Sequence, residues 1–267
     1  MKHILVGIDF SESADRALAY AEEIALTFSS TINLVYIHPS SGSNPAEEKI
    51  NFQRYSGASV RLAELATSVG DRGITTMAST YRGEVIPTLK KIIADGDCDL
   101  VVMGCQGENL LSNTPWGSTI TYLIEDTRIP ILAVPSYAPV KYPRRFLLST
   151  DKECPTRLRQ LHPLLKLLEA DRTQLLLFHY QQATERAFPD REYARLLQGI
   201  KHRFYYQADD HQPIGNAVVE FANLTTADIL VVTHRDDHWL GVKTLNSVAR
   251  KVTWTASIPV LILQDSY

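Results

Sequence analysis

The chain has 267 residues, of which 45% are hydrophobic and 21% are charged, a balance typical of a globular protein with its own core. Its 27 basic and 30 acidic residues leave a formal net charge of -3, so the sequence offers no broad basic surface for nucleic acid. No apolar run approaches the ~18 residues of a membrane helix, and residues 1–3 lead directly into a strand, so we expect a cytoplasmic protein that binds neither membrane nor nucleic acid.

In the first half, short apolar runs alternate with segments of helical spacing. Leu18, Ala21 and Ala25 recur at that spacing behind Ser11 or Ser13, either of which can cap a helix. The predicted strands are residues 4–8, 32–37, 75–81, 100–103 and 129–134; the predicted helices are this first one, which ends near residue 28, and residues 47–68, 85–94 and 119–125. Strands that alternate with helices indicate a parallel sheet with right-handed crossovers.

The second half has the same order of predicted elements. Its strands are residues 146–149, 175–178, 204–206, 229–232 and 260–263, and its helices follow Pro155 and span about 185–201, 217–224 and 248–253. The chain is therefore predicted to be an α/β protein in which each half contributes a five-stranded parallel sheet with helices on both faces.

The two halves are related by an internal repeat. Ser118 and Ser247 lie 129 residues apart, whereas Asp9 and Asp151 lie 142 residues apart, so the second copy is 13 residues shorter in its middle. The segment 134–143 between the copies contains three prolines, which disfavour regular structure. We predict two domains, residues 1–138 and residues 139–267.

Three glycines and a serine follow the strand at residues 100–103. Gly104, Gly107, Gly117 and Ser118 have the spacing G-x2-G-x9-G-S, which differs from both the dinucleotide fingerprint and the P-loop. Glycines let backbone amides converge on an anion, and the helix that follows directs its unpaired N–H groups to the same place. The motif favours a phosphate site, although a pair of glycines after a strand is also common in plain turns.

This motif resembles the ATP-binding motif of the universal stress proteins, the UspA family. The opening strand with Asp9 also resembles that family, and the resemblance covers residues 1–138, with a weaker copy in the rest. It implies a Rossmann-like fold of the adenine nucleotide alpha hydrolase type, repeated in tandem. It further implies that Asp9 holds the adenosine part, that Ile37 lies against the adenine ring, and that the three glycines and Ser118 hold the phosphates. Met103 and Thr119 complete the expected site.

Asp9 has a second interpretation as an Asx turn or cap that opens the first helix, which would not exclude contact with a ribose. The expected ligand is ATP, with ADP or AMP as alternatives and Mg²⁺ as a possible companion. In one-domain relatives the last strands commonly pair. The resemblance therefore implies an internal pseudo-dimer joined through residues 129–134 and 260–263, with a further homodimer as an option.

The second copy departs from the glycine motif. Thr233, Asp236 and Asn246 stand where the first copy has Gly104, Gly107 and Gly117, so side chains and a negative charge occupy the expected phosphate positions. We expect no ATP there. A different small ligand, involving His234 or Arg235, is the alternative.

Two smaller patterns have bland and functional interpretations. Cys105 lies in the glycine region, where backbone amides could lower its pKa, but a small loop residue is the simpler interpretation. His234 and His238 have the spacing of metal ligands, yet no third ligand can be assigned and a solvated loop is favoured.

Three functions remain open from the sequence. The chain is an ATP-binding stress protein whose nucleotide state modulates an unidentified protein partner, a slow ATP hydrolase, or an interaction module of this fold without a nucleotide. No catalytic residue is predicted, because residues 105–117 hold no Lys, Arg or His to neutralise charge on a γ-phosphate.

We expect ATP turnover to stay below about 1 s⁻¹, the lower end of the range for dedicated enzymes, because that cationic group is missing from the loop. Release of inorganic phosphate from ATP and Mg²⁺ measures the rate. A faster rate that disappears in the variant Gly117→Val would contradict this expectation and establish a hydrolase.

Overall fold

The computed structural model describes residues 1–39, 45–105, 118–150, 158–181, 190–208, 212–234 and 248–264. Strands and helices alternate along the described chain, as the sequence predicts. The elements are β1 (His3–Gly7), α1 (Glu12–Phe28), β2 (Thr31–His38), α2 (Pro45–Asp71), β3 (Thr76–Arg82), α3 (Val85–Asp95), β4 (Leu100–Cys105), α4 (Ser118–Asp126), β5 (Ile131–Pro135), β6 (Arg145–Thr150), α5 (Leu158–Leu168), β7 (Gln174–Gln181), α6 (Asp190–Leu196), β8 (His202–Ala208), α7 (Ile214–Leu224), β9 (Ile229–His234), α8 (Val248–Thr255) and β10 (Val260–Gln264).

Two elements end or begin differently from the prediction. The helix predicted to run to about residue 201 ends at Leu196, because the chain turns through Gly199, whose φ of +86° is incompatible with a continuing helix. Strand β5 begins at Ile131 rather than residue 129, since Pro130 has no N–H to donate, although its carbonyl oxygen still accepts a hydrogen bond from Val101.

All ten strands belong to one sheet. Their order is β3-β2-β1-β4-β5-β10-β9-β6-β7-β8, and every neighbouring pair is parallel except β5 with β10. In that antiparallel pair Leu132 lies opposite Leu261, and Ala133 opposite Val260. The predicted pairing of the last strands within one chain is therefore confirmed. Because the order is the same from either end, an approximate two-fold axis at this pair relates the halves.

The strand registers of the two halves correspond at the same offsets as the sequences. Ile4 lies opposite Leu100 across β1 and β4, and Phe146 lies opposite Ile229 across β6 and β9. These pairs differ by 142 residues in the first partner and 129 in the second. Each residue of one half can thus be assigned a counterpart in the other.

Helices cover both faces of the sheet. Helices α1, α2, α5 and α6 contribute to one buried apolar cluster, and α3, α4, α7 and α8 contribute to the other. Each cluster contains side chains from both halves, because successive strand residues point to opposite faces of one continuous sheet. Every residue of β5 and β10 is buried. None of the described helices is long and apolar enough to cross a membrane.

Truncation of a leucine at the central strand pair should weaken both halves together. Leu261 is fully buried, so Leu261→Ala should lower the free energy of unfolding by about 2–5 kcal/mol. Leu224→Ala is the matched control, since Leu224 is 75% exposed and should cost at most about 0.5 kcal/mol. Denaturant unfolding with hydrogen exchange measures both effects. Loss of protection in β9 without loss in β4 would contradict the shared core.

Candidate functional site

The sheet changes direction between β1 and β4. The chain passes from β1 outward to β2 and β3, then returns to build β4 and β5 on the other side of β1. Helix α1, which follows β1, packs on one face of the sheet, and α4, which follows β4, packs on the opposite face. A crevice opens at such a switch point, outside the carboxyl ends of the strands, and ligands of open α/β sheets bind there.

Four of the predicted site residues lie at this edge of the sheet. Gly7 in β1 lies opposite Val35 in β2 and Met103 in β4, which aligns the carboxyl ends of the three strands. Asp9 follows β1, Ile37 is the second-last residue of β2, and Gly104 follows Met103 near the end of β4. The structure therefore brings Asp9, Ile37, Met103 and Gly104 to one edge.

Asp9 opens the first helix through an Asx turn. Its Oδ1 atom accepts hydrogen bonds from the Ser11 amide at 2.9 Å and from the Ser11 hydroxyl at 2.5 Å. Ser11 in turn caps α1, because its Oγ atom accepts from the Ala14 amide at 3.2 Å. The capping interpretation of Asp9 is thus observed. The side chain is exposed, and its Oδ2 atom makes no hydrogen bond to the described residues, so one carboxylate oxygen faces solvent.

Gly104 allows the end of β4 to contact the first turn of α1. A Cβ atom at this position would lie 2.6 Å from the Ala14 amide nitrogen and closer still to the carbonyl group of Ser13. Those neighbours are backbone atoms, which cannot move aside like the end of a side chain. The absence of a side chain at Gly104 is therefore required for packing, in addition to any role beside a ligand.

Ile37 and Met103 point to the face of the sheet that α3 and α4 cover. Ile37 is 9% exposed and belongs to a buried cluster with Leu89 and Ile93, while Met103 is partly buried against the same cluster. Thr119 lies half-buried in the first turn of α4. Together these residues form an apolar floor on the α3/α4 side of the crevice.

Part of the predicted site lies outside the described residues. Gly107, Gly117 and the side chain of Ser118 belong to this part, although Ser118 is the first residue of α4. In the second half the same holds for Asp151, Arg235, Asp236, His238, Asn246 and Ser247.

A cluster of aromatic and cationic side chains beside Asp9 was missed from the sequence. Phe10 has a left-handed φ of +60°, and its ring centroid lies 5.2 Å from that of Tyr36. The Arg61 guanidinium lies 4.1 Å from the centroid of the Phe10 ring, within cation–π range. The Tyr36 hydroxyl is 3.2 Å from Nδ1 of His38, a residue only 7% exposed. The alternation of Tyr36 and His38 at the end of a strand was the available signal.

The corresponding crevice of the second half is filled differently. By strand register, the counterpart of Ile37 is Tyr180, which is 4% exposed and donates its hydroxyl proton to the Gln212 carbonyl oxygen at 3.3 Å. Next to it the rings of Phe178 and Phe221 stack with centroids 4.1 Å apart. Thr233 in β9 is the counterpart of Gly104, so a branched side chain replaces the hydrogen atom there.

The structure contradicts the reactive interpretation of Cys105. Its side chain is 5% exposed, and burial raises the pKa of the thiol to about 12, so the thiolate is scarce at neutral pH. Burial likewise raises the pKa of Cys98 to about 11. Cys154 lies outside the described residues. Within the described ranges, no three His, Cys, Asp or Glu side chains are grouped as metal ligands.

Comparison with known proteins relates the chain to one family. The model of the universal stress protein family matches residues 1–135. The structure of a universal stress protein from Archaeoglobus fulgidus DSM 4304 has a TM-score of 0.81 at 16% identity, and the alignment covers 99% of this chain and 98% of that chain. A protein of unknown function from Pseudomonas aeruginosa PAO1 has a TM-score of 0.64 at 15% identity, with coverage of 99% and 92%.

A third structure is that of a universal stress protein family protein from Arabidopsis thaliana with AMP bound. It has a TM-score of 0.40 at 16% identity, and the alignment covers 51% of this chain and 92% of that chain. Among curated proteins none matches the chain. At these identities the first two structural likenesses show a common fold.

Addition of a single methyl group at Gly104 should destabilise the protein. Gly104→Ala should lower the free energy of unfolding by at least about 1–3 kcal/mol, because the methyl group overlaps the backbone of Ser13 and Ala14. Gly57→Ala is the matched control. Gly57 lies within α2 with no other heavy atom within 4 Å of an added Cβ, so this change should stabilise by about 0.5–1 kcal/mol. Thermal and urea unfolding compare the variants, and a neutral Gly104→Ala would disprove the packing role.

Proposed function

The chain belongs to the universal stress protein family, and from this premise we propose that it is a stress protein that binds one adenine nucleotide, preferably ATP, in residues 1–138. The observation that carries the proposal is the approach of Gly104 to the first turn of α1 at the switch point of the sheet. This contact places the start of the glycine motif beside Asp9, so the two sequence signals for a nucleotide meet in one crevice.

Asp9 is proposed to bind the ribose. Its Oδ1 atom is engaged by Ser11, which fixes the orientation of the carboxylate, and its Oδ2 atom is directed away from those bonds. An exposed carboxylate held in this way can accept hydrogen bonds from ribose hydroxyls without giving up the helix cap. The Asx turn thereby positions the residue for the role that the resemblance implies.

Ile37 and Met103 are proposed to contact the adenine ring. Both belong to the cluster on the α3/α4 face, and both stand at the carboxyl ends of strands that flank β1. Ile37 is almost fully buried, so its exposed edge and its backbone provide the contact rather than its whole side chain. An apolar floor with a few placed polar groups is the usual lining of a small-molecule site.

Gly104, Gly107, Gly117, Ser118 and Thr119 are proposed to hold the phosphates. Helix α4 begins at Ser118, and the unpaired N–H groups of its first turn carry the positive end of the helix dipole. Mg²⁺ would supply the positive charge that the loop sequence lacks. ADP or AMP would use the same crevice with fewer phosphate contacts.

Residues 139–267 are proposed to form a second domain of the same fold that binds no ATP in this manner. Thr233 replaces Gly104, and Tyr180 with the stacked Phe178 and Phe221 occupies the face where Ile37 lies in the first half. We place the domain boundary in the linker that follows β5. The nucleotide state of the first domain would then modulate the contact of the chain with a protein partner.

Isothermal titration with ATP and Mg²⁺ should give about one site per chain. Asp9→Ala and Gly117→Val should each weaken binding by about tenfold or more, since a hydrogen bond to a charged group contributes about 1.5–3 kcal/mol and a branched side chain obstructs the backbone. Titration with ADP and AMP ranks the nucleotides by the phosphates they retain.

The matched controls are Asp151→Ala and Asn246→Val, which make the corresponding changes in the second half. We expect both to bind ATP like the unmodified protein. Two equivalent sites, or equal losses from the variants of both halves, would refute the assignment to the first half. No measurable nucleotide binding by a folded chain would favour an interaction module instead.

A further inference from the structure

The amino ends of the strands in both halves share one backbone framework. In the first half the amides of Lys2 and His3 donate to Oδ2 of Asp99, the latter at 3.0 Å. In the second half the amides of Arg144 and Arg145 donate to Oδ2 of Asp228 at 3.0 and 2.9 Å. These residues are counterparts under the offsets of the repeat, so the framework is an ordinary feature of the fold.

The next loop repeats the same geometry. The Thr31 amide donates to the Lys2 carbonyl oxygen at 2.7 Å, and the Gln174 amide donates to the Arg144 carbonyl oxygen at 2.7 Å. Two residues before each of these strands the backbone is left-handed, with φ of +52° at Ser29 and +65° at Arg172. Arg172 is therefore the counterpart of Ser29.

Only the side chains distinguish the two frameworks. In the second half a cavity of about 560 Å³ is lined by four cationic side chains and one carboxylate: Lys141, Arg144, Arg145, Arg172 and Asp228. The first-half counterparts of the three arginines are Lys2, His3 and Ser29, so most of this positive charge belongs to the second half alone. The volume is in the range of small-molecule sites.

Asp228 compensates only part of this charge. Lys141 forms an ion pair with its Oδ1 atom at 2.6 Å, and Arg145 donates to the carbonyl oxygen of Thr225 and the hydroxyl of Thr226. Burial by itself would raise the pKa of Asp228. The hydrogen bonds from Lys141 and the two arginine amides, with the charge of Lys141, outweigh burial and lower that pKa below its ordinary value.

Arg144 and Arg172 remain uncompensated within the described part of the chain. Both side chains are exposed at the cavity, and neither guanidinium has an ion pair or a hydrogen bond to the described residues. Two free guanidinium groups beside two engaged cations repel one another unless an anion lies between them. Guanidinium groups bind phosphate through paired N–H donors, so the lining is complementary to phosphate oxygens.

The cavity is separate from the candidate nucleotide site. Met103, Ala133, Val260 and Leu230 lie at one level across β4, β5, β10 and β9. The amino ends of β9 and β6 consequently lie at the same edge of the sheet as the carboxyl end of β4, and three strand spacings, about 14 Å, separate β4 from β9. None of the residues proposed for ATP lines the cavity.

We propose that this cavity is a binding site for an oligophosphate chain, with Arg144 and Arg172 as its principal ligands and Lys141 and Arg145 as supporting cations. Several linked phosphates match several cations better than one phosphate does, because each added negative charge neutralises a further positive one. The chain can belong to a free inorganic oligophosphate or to the triphosphate tail of a nucleotide.

Inorganic tripolyphosphate is the probe, titrated calorimetrically into the full chain at low salt. We expect binding that weakens as salt rises and that falls by about tenfold or more in Arg144→Gln/Arg172→Gln, since half of the lining cations are removed. The double variant Arg54→Gln/Lys91→Gln removes the same charge from exposed positions outside the cavity and should bind normally. Thermal unfolding verifies that both variants fold.

Asp9→Ala separates this site from the proposed ATP site, because it should leave tripolyphosphate binding intact. A second, weaker ATP event that disappears in Arg144→Gln/Arg172→Gln would identify the nucleotide tail as the source, and its absence would identify free oligophosphate. Failure of tripolyphosphate to bind, or equal weakening in both double variants, would overturn the proposal. Loss of ATP binding in Asp9→Ala with tripolyphosphate binding retained would leave both sites supported independently.

Discussion

The antiparallel pairing of β5 with β10 is the constraint on which the rest of the structure depends. The sequence of each half builds only a five-stranded sheet whose outer strand is apolar at every position, and such an edge exposes unpaired backbone groups. The pairing of Leu132 with Leu261 and of Ala133 with Val260 removes both edges at once. It also merges the apolar clusters of the two halves into two shared cores, so neither half has a core of its own.

The direction of that pairing decides which ends of the strands are neighbours. Because β5 and β10 are antiparallel, the carboxyl ends of β1 and β4 share an edge of the sheet with the amino ends of β6 and β9. The crevice at Asp9 and the basic cavity at Arg144 therefore lie along one edge, although they arise from opposite ends of equivalent elements. Fusion of two copies in one chain lets the ends of each copy carry different side chains on the same backbone framework.

Close backbone contacts show where that divergence is limited. Gly104 accommodates the first turn of α1 without a side chain, while Thr233 stands at the same position of β9. The aspartates that accept the strand amides, Asp99 and Asp228, are instead the same in both halves. A buried carboxylate that accepts two backbone amides is costly to replace, whereas an exposed residue such as Ser29 can become Arg172 without disturbing the framework.

The sequence by itself determined the order and type of every element, because apolar periodicity, the Ser11 cap and the prolines are local signals. It also determined the repeat and the pairing of the last strands, through the family resemblance. Tertiary structure alone decided that Gly104 contacts α1, that Cys105 is buried with a raised pKa, and that Phe10, Tyr36, His38 and Arg61 cluster beside Asp9. It alone gathered Lys141, Arg144, Arg145 and Arg172 around one cavity. Those outcomes depend on contacts between residues far apart in the chain, and a cationic cluster formed from separate loops has no periodicity by which the sequence could reveal it.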